Sequence, residues 1–159
     1  MSMALNDLEI TEADYNNLEH GRAIIELLDA YSRDPMGQEA PLPESVRQNL
    51  IPGLKNSPGS FVYLAFKNEK PAGIITCFTG FSTFKARRLV NIHDIAVMPE
   101  FRGMGIGQKL IEAAEKRAVS LGCCKLTLEV RDDNRAKHLY KRCGFEAGEP
   151  EMLFWTKEL

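Results

Sequence analysis

A glycine-rich segment, residues 102–107, lies between an apolar run that ends at Val97 and a stretch with helical periodicity. Such a loop would place the backbone N–H groups and positive dipole end of the following helix where they can bind phosphate oxygens. A tight turn that merely needs glycine would explain the same residues. Two common phosphate motifs do not match, because Gln108 occupies a glycine position of the dinucleotide fingerprint and the Gly-Lys-Ser/Thr of a P-loop is missing.

Hydrophobic periodicity predicts the elements that must position this loop. Leu89–Val97 is a third strand-like run, and apolar residues recur at helical spacing from Gly105 to Leu121. Lys125–Val130 alternates as a strand, and a second helix is expected to run through Tyr140. This strand–helix–strand–helix order predicts one parallel crossover, with the helix after the glycine loop on a face of the sheet.

The N-terminal half predicts the rest of the sheet. A first strand is expected at Leu8–Thr11, followed by a helix capped near Asp14 and then a second helix. Two strand-like runs with a short polar connection predict an antiparallel hairpin, Phe61–Phe66 and Gly73–Phe78. The tail at 151–156 is expected to supply a last strand. The predicted fold class is α/β, or α+β by some schemes, with a mixed, mostly antiparallel central sheet flanked by helices.

Length and composition indicate an ordinary globular protein. The 159 residues fit a single domain, 1–159, and 44% hydrophobic with 26% charged residues is typical of such chains. A formal net charge of −2 gives no general attraction to nucleic acid or to anionic lipid. No membrane span or signal peptide is evident, so a cytoplasmic location is expected. The four cysteines lack Cys-x-x-Cys spacing, and no metal site is expected.

The sequence around the glycine loop decides how that loop is interpreted. Arg102-x-x-Gly105-x-Gly107 follows an apolar strand, and a second group of residues follows the strand at 126–130. This second group consists of Asn134, Ala136, Leu139, Tyr140, Gly144 and Phe145. Together the two motifs resemble the GNAT superfamily of N-acetyltransferases, whose first motif is Arg/Gln-x-x-Gly-x-Gly/Ala. The resemblance extends from Asn91 to Phe145, whereas the N-terminal half, which forms much of the acceptor site in the family, is merely compatible with it.

The resemblance implies acetyl-CoA as cosubstrate, without a metal. It assigns the pyrophosphate to backbone amides of the glycine loop, and the pantetheine to the preceding strand and the second motif. The implied residues are Ile95, Ala96, Val97, Arg102, Gly103, Met104, Gly105, Ile106, Gly107, Gln108, Asn134, Ala136 and Tyr140. A backbone N–H of the strand aimed at the thioester carbonyl would lower the barrier to attack.

The resemblance also implies groups that transfer protons. Tyr140 matches the tyrosine that protonates the departing thiolate in many members, and a phenol with a reference pKa of about 10 suits a thiol of about 8.5. The attacking amine must lose a proton as well. His93 is the leading candidate for this base because some relatives place a histidine or glutamate there, with Asp94 and Glu129 as alternatives.

The predicted acceptor is a small primary amine or an amino-acid-like compound. The segment around His93 is similar to diamine acetyltransferases, except that a glutamate occupies the histidine position in those proteins. A protein lysine or N-terminus is the alternative acceptor, and a non-catalytic acyl-CoA-binding regulatory module is the competing class. The expected partners are acetyl-CoA and an amine, with neither nucleic acid nor membrane. A homodimer is common among relatives, although the sequence shows no interface for one.

Overall fold

The computed structural model describes residues 7–159, and a five-stranded sheet forms its centre. The strands lie in chain order: β1 Leu8–Glu12, β2 Ser60–Lys67, β3 Lys70–Ser82, β4 Arg87–Val97 and β5 Leu126–Leu128. β1 to β4 pair antiparallel, whereas β5 runs parallel to β4. The predicted hairpin, the parallel crossover and the mixed, mostly antiparallel sheet are confirmed.

Three of the described helices connect strands of this sheet, and a fourth follows its last strand along the chain. They are α1 Leu18–Arg33, α2 Glu44–Lys55, α3 Ile106–Ser120 and α4 Lys137–Arg142. The cap expected at Asp14 or a near neighbour is Asn17, whose side chain accepts hydrogen bonds from the N–H groups of Glu19 and His20. None of the described helices has the length and apolar composition of a membrane span.

The hairpin of β2 and β3 closes through a turn of two residues. Asn68 and Glu69 have positive φ angles of 50° and 65°, and Lys67 pairs with Lys70 across the ladder. Two left-handed central residues give a turn whose twist matches that of the strands. The turn therefore sets the register of β2 against β3.

Two successive residues of β3, Gly73 and Ile74, contact different helices that cover the sheet. Ile74 packs in a core cluster with Ile24 and Leu27 of α1. Its neighbour Gly73 lies beside Ile106 and Leu110 of α3. Because neighbouring residues of a strand face opposite sides, α1 and α3 cover opposite faces of the sheet.

The chain divides into two compact units, one ending at Leu128 and one spanning Glu129–Leu159. In the second unit α4 is the regular element, and the expected strand at 151–156 is wrong. Met152, Leu153, Phe154 and Trp155 are exposed and lie outside any ladder. Strand propensity alone does not provide the neighbouring strand that backbone groups need for pairing.

Asp29 ties α1 to α2 and to the connection between them. Its carboxylate accepts hydrogen bonds from the Leu42 N–H at 2.9 Å and from Arg33 Nε at 2.9 Å, and it forms an ion pair with Arg47 Nη2 at 3.2 Å. The Leu42 N–H, followed by Arg33, lowers the pKa of this carboxyl. Asp29 is buried, so loss of its charge leaves several donors without an acceptor.

Asp29→Ala is expected to lower the free energy of unfolding by about 2–3 kcal/mol near neutral pH, because a buried, multiply bonded carboxylate is lost. Urea denaturation measures this change, with the exposed Glu26→Ala in the same helix as the control. A depressed pKa stabilises the fold above the ordinary aspartate range of about 3.9 and loses that effect as pH falls through the folded value. The difference between wild type and Asp29→Ala should therefore shrink in acid; a constant difference would contradict the assignment.

Candidate functional site

The glycine loop has a backbone that residues with a β-carbon rarely adopt. After β4, a 3₁₀ turn at Pro99–Phe101 leads into the loop. Gly103 and Gly105 have φ angles of +80° and +78°, and Gly105 is the N-cap of α3. A Cβ built on either glycine would meet nothing within 4 Å. Glycine is thus required here by backbone conformation, and the space beside the loop is open.

The first amides of α3 are available to a ligand. The Lys109 N–H donates to the Gly105 carbonyl at 3.2 Å and is the first donor of the helix ladder. Among the residues that the structure describes, the backbone N–H groups of 103–108 make no backbone hydrogen bond. The Arg102 N–H, by contrast, donates to the Pro99 carbonyl at 3.3 Å. The open donors therefore begin at Gly103.

Gly73 brings the first turn of α3 close to the sheet. A Cβ at this position would lie 3.1 Å from Ile106 Cγ2, 3.1 Å from Leu110 Cδ1 and 3.2 Å from the Ala96 carbonyl oxygen. Ile106 and Leu110 are fully buried. The absence of a side chain on β3 therefore sets how closely the helix N-terminus approaches the end of β4.

The Arg102 side chain connects the loop to two other parts of the chain. Its Nε donates to the Val97 carbonyl at 3.0 Å, and its Nη2 donates to Asp34 Oδ2 at 3.0 Å. The N–H of Met36, followed by Arg102, lowers the pKa of the Asp34 carboxyl. The guanidinium thus joins the end of β4 to the residue that follows α1.

The sheet opens on one side of β4 close to this loop. β5 pairs with β4 from Val90 to Ile92 and then ends at Leu128. Farther along β4, the segment Ile95–Val97 pairs with Gly73–Ile75 of β3 on the other side. Among the described strands, none pairs with the β5-facing edge of 95–97. This edge can therefore offer backbone groups to a ligand.

A β-bulge changes the direction of His93. The register pairs Thr76 with Asp94 but Cys77 with Ile92, so His93 is the extra residue. Its ring lies edge-on to Phe78 with centroids 5.6 Å apart. Thr76 and Phe78 share a face of β3, so His93 and Asp94 lie on the same face instead of the opposite faces that a regular strand would give them.

The Asp94 carboxylate is paired with a hydroxyl group. Thr76 Oγ1 donates to Asp94 Oδ2 at 2.5 Å and accepts the Asp94 N–H at 3.0 Å. Thr76 is buried, whereas His93 is exposed. Because Asp94 is bonded to this buried hydroxyl, His93 has freer access to a ligand than Asp94.

Four of the predicted site residues lie in the second unit: Glu129, Asn134, Ala136 and Tyr140. Asn134 Oδ1 accepts the N–H of Ala136 at 2.9 Å and so shapes the turn into α4. Tyr140 is buried within α4, with its ring 6.1 Å from that of Phe145. Glu129, an alternative base, is exposed just after β5. In residues 7–159, no group of three or more His, Cys, Asp or Glu side chains could hold a metal ion.

Sequence reasoning missed three residues that shape the first unit: Asp34, Gly73 and Thr76. Gly73 carried a usable signal, since a glycine inside an apolar strand often marks close approach of another backbone. The partners of Asp34 and Thr76 lie 68 and 18 residues farther along the chain, and no local pattern announces such pairs.

The model of the acetyltransferase (GNAT) family matches residues 23–145. The chain belongs to this family. A thialysine N-ε-acetyltransferase of Mus musculus is 34% identical over 133 residues, which cover 83% of this chain and 71% of that protein. The Bos taurus protein of the same name is 44% identical over 68 residues, which cover 42% of this chain and 39% of the relative. That match thus spans about two fifths of the cattle protein.

Solved structures show the same GNAT fold. An aminoglycoside acetyltransferase from an uncultured soil metagenomic sample, crystallised with trehalose, has a TM-score of 0.79 to this chain at 24% identity. The alignment covers 98% of this chain and 99% of that one. At this level of identity, the likeness supports the architecture and leaves the acceptor open.

Gly73→Val should destabilise this GNAT protein by about 2 kcal/mol, because the added carbons overlap Ile106, Leu110 and the Ala96 carbonyl. Thermal or urea unfolding measures the effect. Gly53→Val in α2 is the matched control, since a Cβ there meets nothing within 4 Å. Equal stability of the two variants would contradict the role given to Gly73.

Proposed function

We propose that this GNAT protein transfers an acetyl group from acetyl-CoA to the nitrogen of a small primary amine or an amino-acid-like compound. The observation that carries the proposal is the open N-terminus of α3. There, two glycines with positive φ precede amides that have no backbone partner within the described residues. This arrangement favours a diphosphate, since several N–H groups and the helix dipole act on one anion.

The residues present fit the donor. Amides of 103–108 would hold the pyrophosphate, and the open edge of Ile95–Val97 would align the pantetheine. The unfilled space beside Gly103 and Gly105 leaves room for phosphate oxygens. Asn134 and Ala136 are proposed to contribute from the second motif. Acetyl-CoA supplies an activated thioester, and a strand N–H pointed at its carbonyl oxygen would stabilise developing negative charge.

Tyr140 and His93 are the proposed proton-transferring groups. Tyr140 would donate its phenolic proton to the departing thiolate. His93 would accept the proton of the amine, directly or through water, and its exposure gives it access to an acceptor. Asp94 is the weaker candidate, because Thr76 already occupies one of its carboxylate oxygens.

Direct attack by the amine is favoured over a thiol nucleophile. Burial, with a contribution from Asp94, raises the pKa of Cys77 to about 12. A thiol that is protonated at neutral pH is a poor nucleophile. Cys123 and Cys124 are intermediate in exposure, and no sequence feature places a base beside either thiol.

The relatives favour the small acceptor over a protein. The mouse and cattle proteins are named for N-ε-acetylation of thialysine, an amino acid with a primary amine. That name supports an amino-acid-like acceptor for this chain. A protein lysine, a protein N-terminus and a purely regulatory acyl-CoA-binding role are then outcomes that an acceptor screen separates.

Incubation with acetyl-CoA and pooled amines, amino acids and peptides should release free coenzyme A and yield one acetylated product, which mass spectrometry identifies.

Tyr140→Phe should keep acetyl-CoA affinity but lower kcat by about 10²-fold or more, since a proton donor is lost while the ring is retained. Tyr63→Phe in β2 is the control for loss of a phenol. Equal turnover by Tyr140→Phe and wild type would exclude the acid assignment.

Gly105→Val should abolish detectable acetyl-CoA binding while the protein stays folded. Gly105 has a positive φ that a β-branched residue resists, and valine would project into the open space beside the loop. Isothermal titration calorimetry gives the affinity and circular dichroism checks the fold. Unchanged affinity in a folded variant would move the donor site away from this loop.

A further inference from the structure

The connection between α1 and α2 is ordered by its own hydrogen bonds. The carbonyl of Ser32 accepts the N–H groups of Gln38 and Ala40, and its hydroxyl donates to the Ala40 carbonyl at 2.7 Å. Asp34 Oδ1 accepts the Met36 N–H at 2.9 Å, and the Asp34 carbonyl accepts the Gly37 N–H at 2.8 Å. These hydrogen bonds tie the segment 34–40 to the end of α1.

Asp34 is the residue through which this segment reaches the glycine loop. One carboxylate oxygen is used inside the connection, and the other receives Arg102 Nη2. Arg102 in turn holds the Val97 carbonyl through Nε. The Asp34 side chain is 21% exposed and that of Arg102 54%, so the pair is only partly screened by water.

This arrangement pairs the cation at the start of the glycine loop, Arg102, with a carboxylate. A guanidinium committed to a carboxylate and a carbonyl has fewer donors left for a phosphate. Arg102 has a geometric effect as well, because it directly precedes Gly103 and its side chain holds the end of β4 through the Val97 carbonyl. The loop conformation and the α1–α2 connection are thus joined by a single side chain.

We propose that Arg102 and Asp34 are a positioning pair: their ion pair holds the glycine loop in its ligand-ready conformation and couples donor binding to the order of segment 34–40. The inference rests on the proposed function, in which this loop binds the pyrophosphate. Arg102 then acts through the backbone of the loop, and Asp34 matters for donor affinity although it lies outside the glycine motif.

The test compares wild type, Asp34→Asn, Arg102→Gln and the double variant. Calorimetry with coenzyme A gives the affinity, and hydrogen exchange followed by mass spectrometry reports the amides of 103–108 without ligand. Glu12→Gln is the matched control, because it removes an ion pair to Arg117 near the other end of α3. Asp34→Glu is the conservative variant, and thermal unfolding verifies the fold of each protein.

Each single variant should raise the dissociation constant about threefold to fivefold, the effect of losing a partly exposed ion pair. Each should also speed exchange in the loop. The double variant should match the singles, Asp34→Glu should recover part of the loss, and KM for acetyl-CoA should rise with little change in kcat. Glu12→Gln should behave as wild type.

Two results would overturn the pairing. Normal affinity and loop exchange in Asp34→Asn, with weak binding in Arg102→Gln, would make Arg102 a direct phosphate ligand. Losses that multiply in the double variant would show that the residues act independently. Failure of wild type to bind coenzyme A would instead overturn the proposed function, and the exchange measurement without ligand would still decide whether the pair orders the loop.

Discussion

The helix that follows the glycine loop has to satisfy two opposed requirements at its N-terminus. Its first amides must lack hydrogen-bond acceptors within the protein if they are to bind an anion, yet a helix end whose N–H groups are unsatisfied is less stable. The fold resolves this conflict on the other side of the same turn, where Ile106 and Leu110 are buried next to Gly73 of β3. Apolar packing immobilises the helix, which allows its polar end to remain open.

The conformation of the glycine loop and the start of α3 could be predicted from the sequence, because both depend on local residue types. Left-handed backbone demands glycine at 103 and 105, and helical periodicity beyond them marks the start of α3. What local reasoning could not supply was the bulge at His93. Its position depends on how β4 aligns with β3, and a single inserted residue reverses which side chains share a face.

A similar distinction applies to the fold. The β2–β3 hairpin and the β4–α3–β5 crossover were predictable from the pattern of apolar residues, the short polar turn and the rule that parallel strands are joined by a right-handed crossover. The tail at 151–156 has apolar and aromatic residues suited to a strand, but residue type does not decide whether a neighbouring edge is available. The single domain 1–159, the cytoplasmic location and a homodimer stay predictions, as do the roles of individual site residues.

The order of strands across the sheet also bears on how the protein acquires its shape. β2, β3 and β4 are joined by short turns, so their pairing closes only small loops, whereas β5 can join only after the whole of α3 has been placed. Pairings of higher contact order form more slowly than local ones. Since the glycine loop lies inside that crossover, a nascent chain would complete its central meander before this loop reached its final arrangement.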